Sequence, residues 1–122
     1  MEVQQQEKER VIKEYFSGWE KKDWNAISSL LADEFTFTSP NDDDHISTAQ
    51  FYDKCWAQAE YIQKFRFIKI IGNENEAFVM YECSTRSSRT FRNTEYFCFH
   101  KGKIKSIEVF FGAGQGYPSN EK

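Results

Sequence analysis

Cysteine is sparse in this chain and badly placed for bridging. Cys55, Cys83 and Cys98 are odd in number and lack C-x-x-C spacing. That excludes a disulfide frame or a zinc ribbon and leaves them as small buried residues of a reduced protein. Long hydrophobic runs are missing too: no apolar stretch approaches the roughly 20 residues of a bilayer-crossing helix, and the opening MEVQQQEKER lacks the apolar segment of a secretory signal. The expectation is a cytoplasmic protein with no membrane partner. Basic charge is not gathered anywhere: 16 Lys and Arg are scattered among 19 Asp and Glu, net −3, so a nucleic-acid-binding face is not expected. No linker, repeat or low-complexity stretch breaks the chain. One domain over 1–122 is expected, its core at about 8–112 and an irregular tail at 113–122.

Ring surface, by contrast, is plentiful. Aromatics make up 17% of the residues and Phe alone contributes twelve, more than a thin sheet needs, which implies a thick core or a lined cavity.

Periodicity supplies the elements. Val11, Ile12, Tyr15, Phe16 and Trp19 recur at helical spacing opposite Glu7, Lys8, Arg10, Lys13 and Glu14, predicting a long amphipathic helix that ends near Gly18 to Lys22. Asp23 is placed to cap a second helix with Trp24, Ile27, Leu30 and Leu31 on one face. Phe35 to Ser39 alternates as a short strand before the turn at Pro40-Asn41. Ser47 and Gln50 form a capping-box pattern ahead of a third helix carrying Phe51, Tyr52, Cys55, Trp56 and Ala59. From Phe65 the period becomes two. Stretches at Phe65–Ile71, Ala77–Arg86, Thr90–His100 and Lys103–Gly112, joined by short turns, predict a four-stranded antiparallel meander. Helices followed by strands make the class α+β, three helices packed on a curved, mainly antiparallel sheet.

On Thr90–His100 the row Phe91, Asn93, Glu95, Phe97, Phe99 is the more apolar and should face the helices, matched by Ile107, Val109 and Phe111. Asn93 and Glu95 are then polar groups in an apolar row, costly unless partnered. The opposite row, Arg92, Thr94, Tyr96 and Cys98 with Phe110, is too aromatic for a wholly solvated face, and a homodimer through it is expected.

The segments VIKEYFSGWEKKDWNAISSLLADEFTFTSP and FRNTEYFCFHKGKIKSIEVFFG resemble the nuclear transport factor 2-like superfamily, and within it the SnoaL-like proteins and the steroid delta-isomerases. The resemblance runs from Val11 to about Gly112 and implies a cone-shaped, cystatin-like fold around a pocket. It places Tyr15 as an oxyanion-hole tyrosine on the first helix and Glu95 as the oxyanion-hole acid. The general-base position before the proline is Ser39, and a serine is no proton shuttle at neutral pH. Cyclases and epoxide hydrolases of this fold use sheet aspartates, yet no Asp follows Asp53 here. Glu82 is one stand-in, although both rows of its strand carry apolar residues and its face is ambiguous. Glu108 has outward parity.

Tyr15 with Glu95 is the sharpest pair, either as a proton donor site or as a buried network in which Glu95 satisfies Asn93, Tyr15, Arg86 or Arg92. The turn Pro40-Asn41-Asp42-Asp43-Asp44-His45 offers Asp42 and His45 as a base at the pocket mouth. It lacks calcium-loop spacing, reads as a solvated acidic turn, and no metal site is assigned. Trp19, Phe51, Trp56, Asn93 and Phe97 are candidates for the substrate-binding wall, although aromatics at such spacing also build plain cores. The expected function is binding of a small apolar or ring-bearing ligand, with cofactor-independent isomerisation, cyclisation or hydration by proton transfer. The alternatives are a non-catalytic binder and an association module of the same fold.

Overall fold

A computed structural model describes residues 2–40 and 43–111, so the expected tail at 113–122 lies outside the described residues. Helix α1 (Glu2–Lys21) buries Val11, Ile12, Tyr15, Phe16 and Trp19 along one stripe, while Arg10 pairs with Glu7 and Glu14 on its solvent side. Its end is a Schellman closure: Lys22 takes φ 59, and Asp23 N–H reaches Gly18 O at 2.9 Å while Lys22 N–H reaches Trp19 O at 3.3 Å. Asp23 then caps α2 (Trp24–Ser28), accepting from Ala26 N–H at 3.2 Å. A Cβ on Gly18 would stand 2.5 Å from Ile27 Cγ1, so glycine is what lets α2 close on α1.

Helix α2 is shorter than its apolar pattern implies. Leu31 opens strand β1 (Leu31–Ser39) instead of completing a helix face. The competing interaction is distant in sequence: Ile104 N–H donates to Leu30 O at 2.8 Å, and Leu31 pairs in parallel with Ile104 of β6 (Lys103–Phe111).

The meander of β3 (Ile62–Gly72), β4 (Glu76–Thr85), β5 (Thr90–His100) and β6 is present, but the sheet has six strands rather than four. The added pair is β1 and β2 (Asp43–Ile46), in the order β2-β1-β6-β5-β4-β3. Among the described strand pairs only β1–β6 is parallel. Strand β2 is four residues, DDHI, without apolar alternation, so its pairing with β1 left no local signal. Register shifts near Phe67 and Cys98 bend the sheet, and the second turns both Ile104 and Ile107 inward.

The capping box of α3 (Thr48–Cys55) forms in full: Gln50 N–H donates to Ser47 Oγ at 3.3 Å and Ser47 N–H to Gln50 Oε1 at 2.9 Å. A 3-10 segment, Trp56–Tyr61, carries the chain to β3. Helix α1 lies on the concave face, where the Phe16 ring meets Phe65 at 4.8 Å, Tyr81 at 5.0 Å and Phe97 at 5.9 Å. Glu95, Phe97 and Phe99 are buried as their row predicts, while near the start of β5 Phe91 is exposed and Asn93 half-buried. On β4 the inward row is Ala77, Val79, Tyr81 and Cys83; Phe78, Met80 and Glu82 occupy the other face.

Candidate functional site

A cavity of about 400 Å³ opens between α1, α3 and the concave face of the sheet. Half of its lining residues are aromatic, among them Tyr15, Trp19, Phe37 and Phe51. Polar groups sit at two places in that apolar wall.

The first is built on β4 and β5. Glu95 is only 7% exposed because its strand parity turns it toward α1. Its Oε2 accepts the Tyr81 hydroxyl at 2.5 Å, and that hydroxyl accepts Asn93 Nδ2–H at 3.2 Å. Glu95 Oε1 is buried and has no hydrogen-bond partner among the described residues. Burial pushes the Glu95 carboxyl up to about 7, and the Tyr81 bond pulls it only partly back. Tyr15 and Tyr81 are both held well above the usual phenol value, first by burial and next by the nearby Glu95 charge. The site therefore contains a carboxyl that is protonated in mildly acidic solution and ionises around neutrality, with one oxygen left open among the described residues.

The second place is the mouth. Asp43 begins β2 opposite Ser39 of β1 and is 7% exposed. Ser39 Oγ–H donates to its Oδ2 at 2.8 Å, and Lys54 Nζ of α3 stands 3.4 Å from Oδ1. Cys55 lies in the same wall. Its thiol is pushed up to about 11, chiefly by burial, then by Asp43, with Glu95 adding to the effect and Lys54 opposing it. One thiol thus feels both carboxyl groups.

Of the residues singled out in the sequence, Tyr15, Glu95, Trp19 and Phe51 line the cavity. No hydrogen bond joins Tyr15 to Glu95 among the described residues; Tyr81 takes that place. Asn93 reaches the site only through Tyr81. Phe97 is fully buried behind the wall, its ring 5.5 Å from that of Tyr15. Trp56 packs on Trp19 at 4.9 Å and Trp24 at 5.3 Å without reaching the cavity wall.

Glu82 requires correction. It lies on the outer face, bridged to Arg66 at 3.1 Å and Arg92 at 3.4 Å, which hold its carboxyl below the usual value. His45 requires the same: its side chain is 73% exposed, at φ 55, with Nδ1 2.6 Å from Asp44 Oδ1. Asp42 lies outside the described residues. Among the described residues no group of three or more His, Cys, Asp or Glu is arranged to hold a metal ion. Tyr81 and Lys54 were not anticipated, and Asp43 only as one carboxylate of the acidic turn, behind Asp42 and His45. Tyr81 alternates with the small inward residues of β4, a usable signal; Asp43 sits in a run of three aspartates, where one position of register decides which turns inward.

The SnoaL-like domain family model matches residues 12–107. The chain belongs to the SnoaL-like family. No curated protein matches it in sequence. Among solved structures, a nuclear transport factor 2-like protein from Anabaena variabilis ATCC 29413 superposes with a TM-score of 0.75 at 16% identity, covering 88% of each chain. A candidate polyketide cyclase from Xanthomonas campestris pv. campestris gives 0.69 at 13% identity, over 89% of this chain and 93% of that one. A de novo designed protein with a curved β-sheet gives 0.75 at 16% identity, over 88% and 87%. These likenesses show the fold. A designed protein shares it with natural ones, so function must be argued from the cavity of this SnoaL-like chain rather than from its architecture. No described helix is long and apolar enough to cross a membrane.

Proposed function

We propose that this SnoaL-like protein takes a small, mostly apolar, carbonyl- or ring-bearing molecule into the cavity and promotes proton transfer on it, as an isomerase, cyclase or hydratase that draws on its own side chains. The observation that carries this reading is Glu95 Oε1, a buried carboxyl oxygen at the cavity wall without a partner among the described residues. Leaving such a group unsatisfied costs about 1–3 kcal/mol, and a ligand oxygen in the cavity would relieve it. In its protonated form Glu95 donates to a ligand carbonyl, while Tyr81 holds the other carboxyl oxygen. The same donor stabilises the negative charge that grows on that oxygen when a neighbouring C–H is deprotonated. The cavity volume of about 400 Å³ lies in the range that small-molecule sites occupy, roughly 300–1,000 Å³. An open cavity of this size also favours a ligand over the association-module alternative.

Dinitrophenolates test the reading, since two nitro groups keep them anionic oxygens on a ring in mildly acidic buffer. Wild type should bind them below pH 7, observed by quenching of tryptophan fluorescence, and lose about tenfold in affinity per pH unit above it as Glu95 ionises. Glu95→Gln keeps the shape and a donor, so its affinity should be flat with pH. Absence of binding to wild type across the series refutes the proposal. A non-catalytic binder would show this binding and no proton exchange on bound ketones.

A further inference from the structure

A second cavity, about 480 Å³, opens at the other end of α1. Glu7, Lys8 and Val11 form one side of it, and Phe99 with the β3–β4 and β5–β6 turns forms the other. No described residue lines both cavities. On β5 the buried Phe97 comes between Glu95, at the first cavity, and Phe99, at the second. Lys8 is the unusual member. Periodicity sets it with the solvent side of α1, yet it lies three residues before Val11 and four before Ile12, on the stripe that faces the sheet. It is only 8% exposed and has no hydrogen-bond or ion-pair partner among the described residues. A lysine lying along apolar surface ordinarily keeps its charged end in water. Burying that cation unpaired is costly.

The surroundings set the sign and shape of what would relieve it. Glu7, the neighbouring carboxylate on α1, is engaged by Arg10. Glu74 is exposed in the β3–β4 turn and has no described partner. A second cation, Lys101, stands at the rim with φ 52, followed by Gly102 at φ 82, in the two-residue turn closed by the His100–Lys103 pair. Phe99 N–H donates to Asn75 O at 2.8 Å, which ties the two turns together. Val11 and Phe99 are buried and give the cavity an apolar floor. We propose that this cavity is a second ligand site, taking a small monocarboxylate with a short apolar body. Its carboxylate pairs with Lys8 and Lys101, and its hydrocarbon part rests on Val11 and Phe99. A single negative charge suits two lysines beside Glu74, whereas a doubly charged anion such as phosphate meets more repulsion from that carboxylate. The site is independent of the oxygen-site reading of Glu95.

Amide NMR spectra of the isotope-labelled chain, titrated with hexanoate, read the two cavities separately. Hexanoate should shift the Phe99 and Gly102 amides of wild type, and neutral hexanamide should leave them in place. Lys8→Met keeps the stem and removes the charge, so it should weaken that titration about tenfold or more, as loss of a charged hydrogen bond does. Lys101→Asn, a residue type that tolerates positive φ, should weaken it about threefold at the exposed rim. Without ligand, Lys8→Met should also raise the urea midpoint, because an unpaired buried cation is gone. Four results overturn the assignment. The first is no hexanoate response at Phe99 and Gly102, or one confined to Glu95 and Val109 at the first cavity. The second is an equal response by Lys8→Met. The third is a lower urea midpoint for Lys8→Met, which would mean that Lys8 is already paired within the fold. The fourth is inorganic phosphate shifting the same amides as strongly as hexanoate, which would leave a place for any anion and no carboxylate site.

Discussion

Glu95→Gln should change how stability depends on pH, and the change can be measured without knowing any ligand. The unfolded carboxyl titrates near 4.5 and the folded one near 7. Below the lower value both states are protonated and the group contributes nothing. Between the two, the folded protein holds a proton that the unfolded chain has released, so stability falls as pH rises. Above the upper value the whole cost of burying the charge is present, on the order of 3 kcal/mol. That is a large share of the 5–15 kcal/mol typical of a domain.

Urea unfolding of wild type and Glu95→Gln at intervals from pH 4.5 to 8.5 isolates this effect. Any pH-independent cost of the amide, including its fit against Tyr81, shifts the two curves by a constant. Their difference should therefore move in favour of Glu95→Gln by about 3 kcal/mol across that window, one or more molar units of urea midpoint at ordinary slopes of about 1–3 kcal/mol/M. Parallel profiles would show that Glu95 ionises as it does in water. The argument for a protonated donor at the cavity wall would then be gone.

Tyr81→Phe removes the bond that partly restrains the Glu95 titration while keeping the ring against Phe16 and Phe65; the fall in stability in the same assay should begin at the same pH and extend to higher pH. Ser47→Ala deletes the α3 cap and should cost about 1 kcal/mol of unfolding free energy with little effect on dinitrophenolate affinity. We also propose that a second copy of the chain covers the outer sheet face, where Phe78, Met80 and Phe110 are exposed and Phe78 packs on Tyr96 at 4.7 Å. Light scattering at micromolar concentration should report a dimer that Phe78→Lys dissociates, and a wild-type monomer would count against it.

What the sequence made legible was local. The α1 stripe, the Ser47–Gln50 box and the inward set of β5 each repeat within a few residues, so periodicity and capping chemistry suffice to find them. Leu31 shows where that fails. Its spacing from Ile27 fits a helix, but a parallel partner some seventy positions later offers its backbone a ladder instead, and no local pattern reports that competition. Glu82 fails for a related reason: both rows of β4 contain apolar residues, and only the full sheet shows that Phe78 and Met80 face outward with it. The candidate base is the hardest case. By resemblance its place falls on Ser39, which cannot serve, and the sequence then offers Asp42 and His45 as substitutes. In the folded chain, β2 pairs with β1 so that Asp43 Oδ2 receives the Ser39 hydroxyl. A serine in the expected position and an aspartate four residues on are therefore joined by a hydrogen bond in the cavity wall. The pairing that joins them belongs to the four-residue strand that periodicity could not find, so the strand and the buried aspartate at the cavity mouth became visible together.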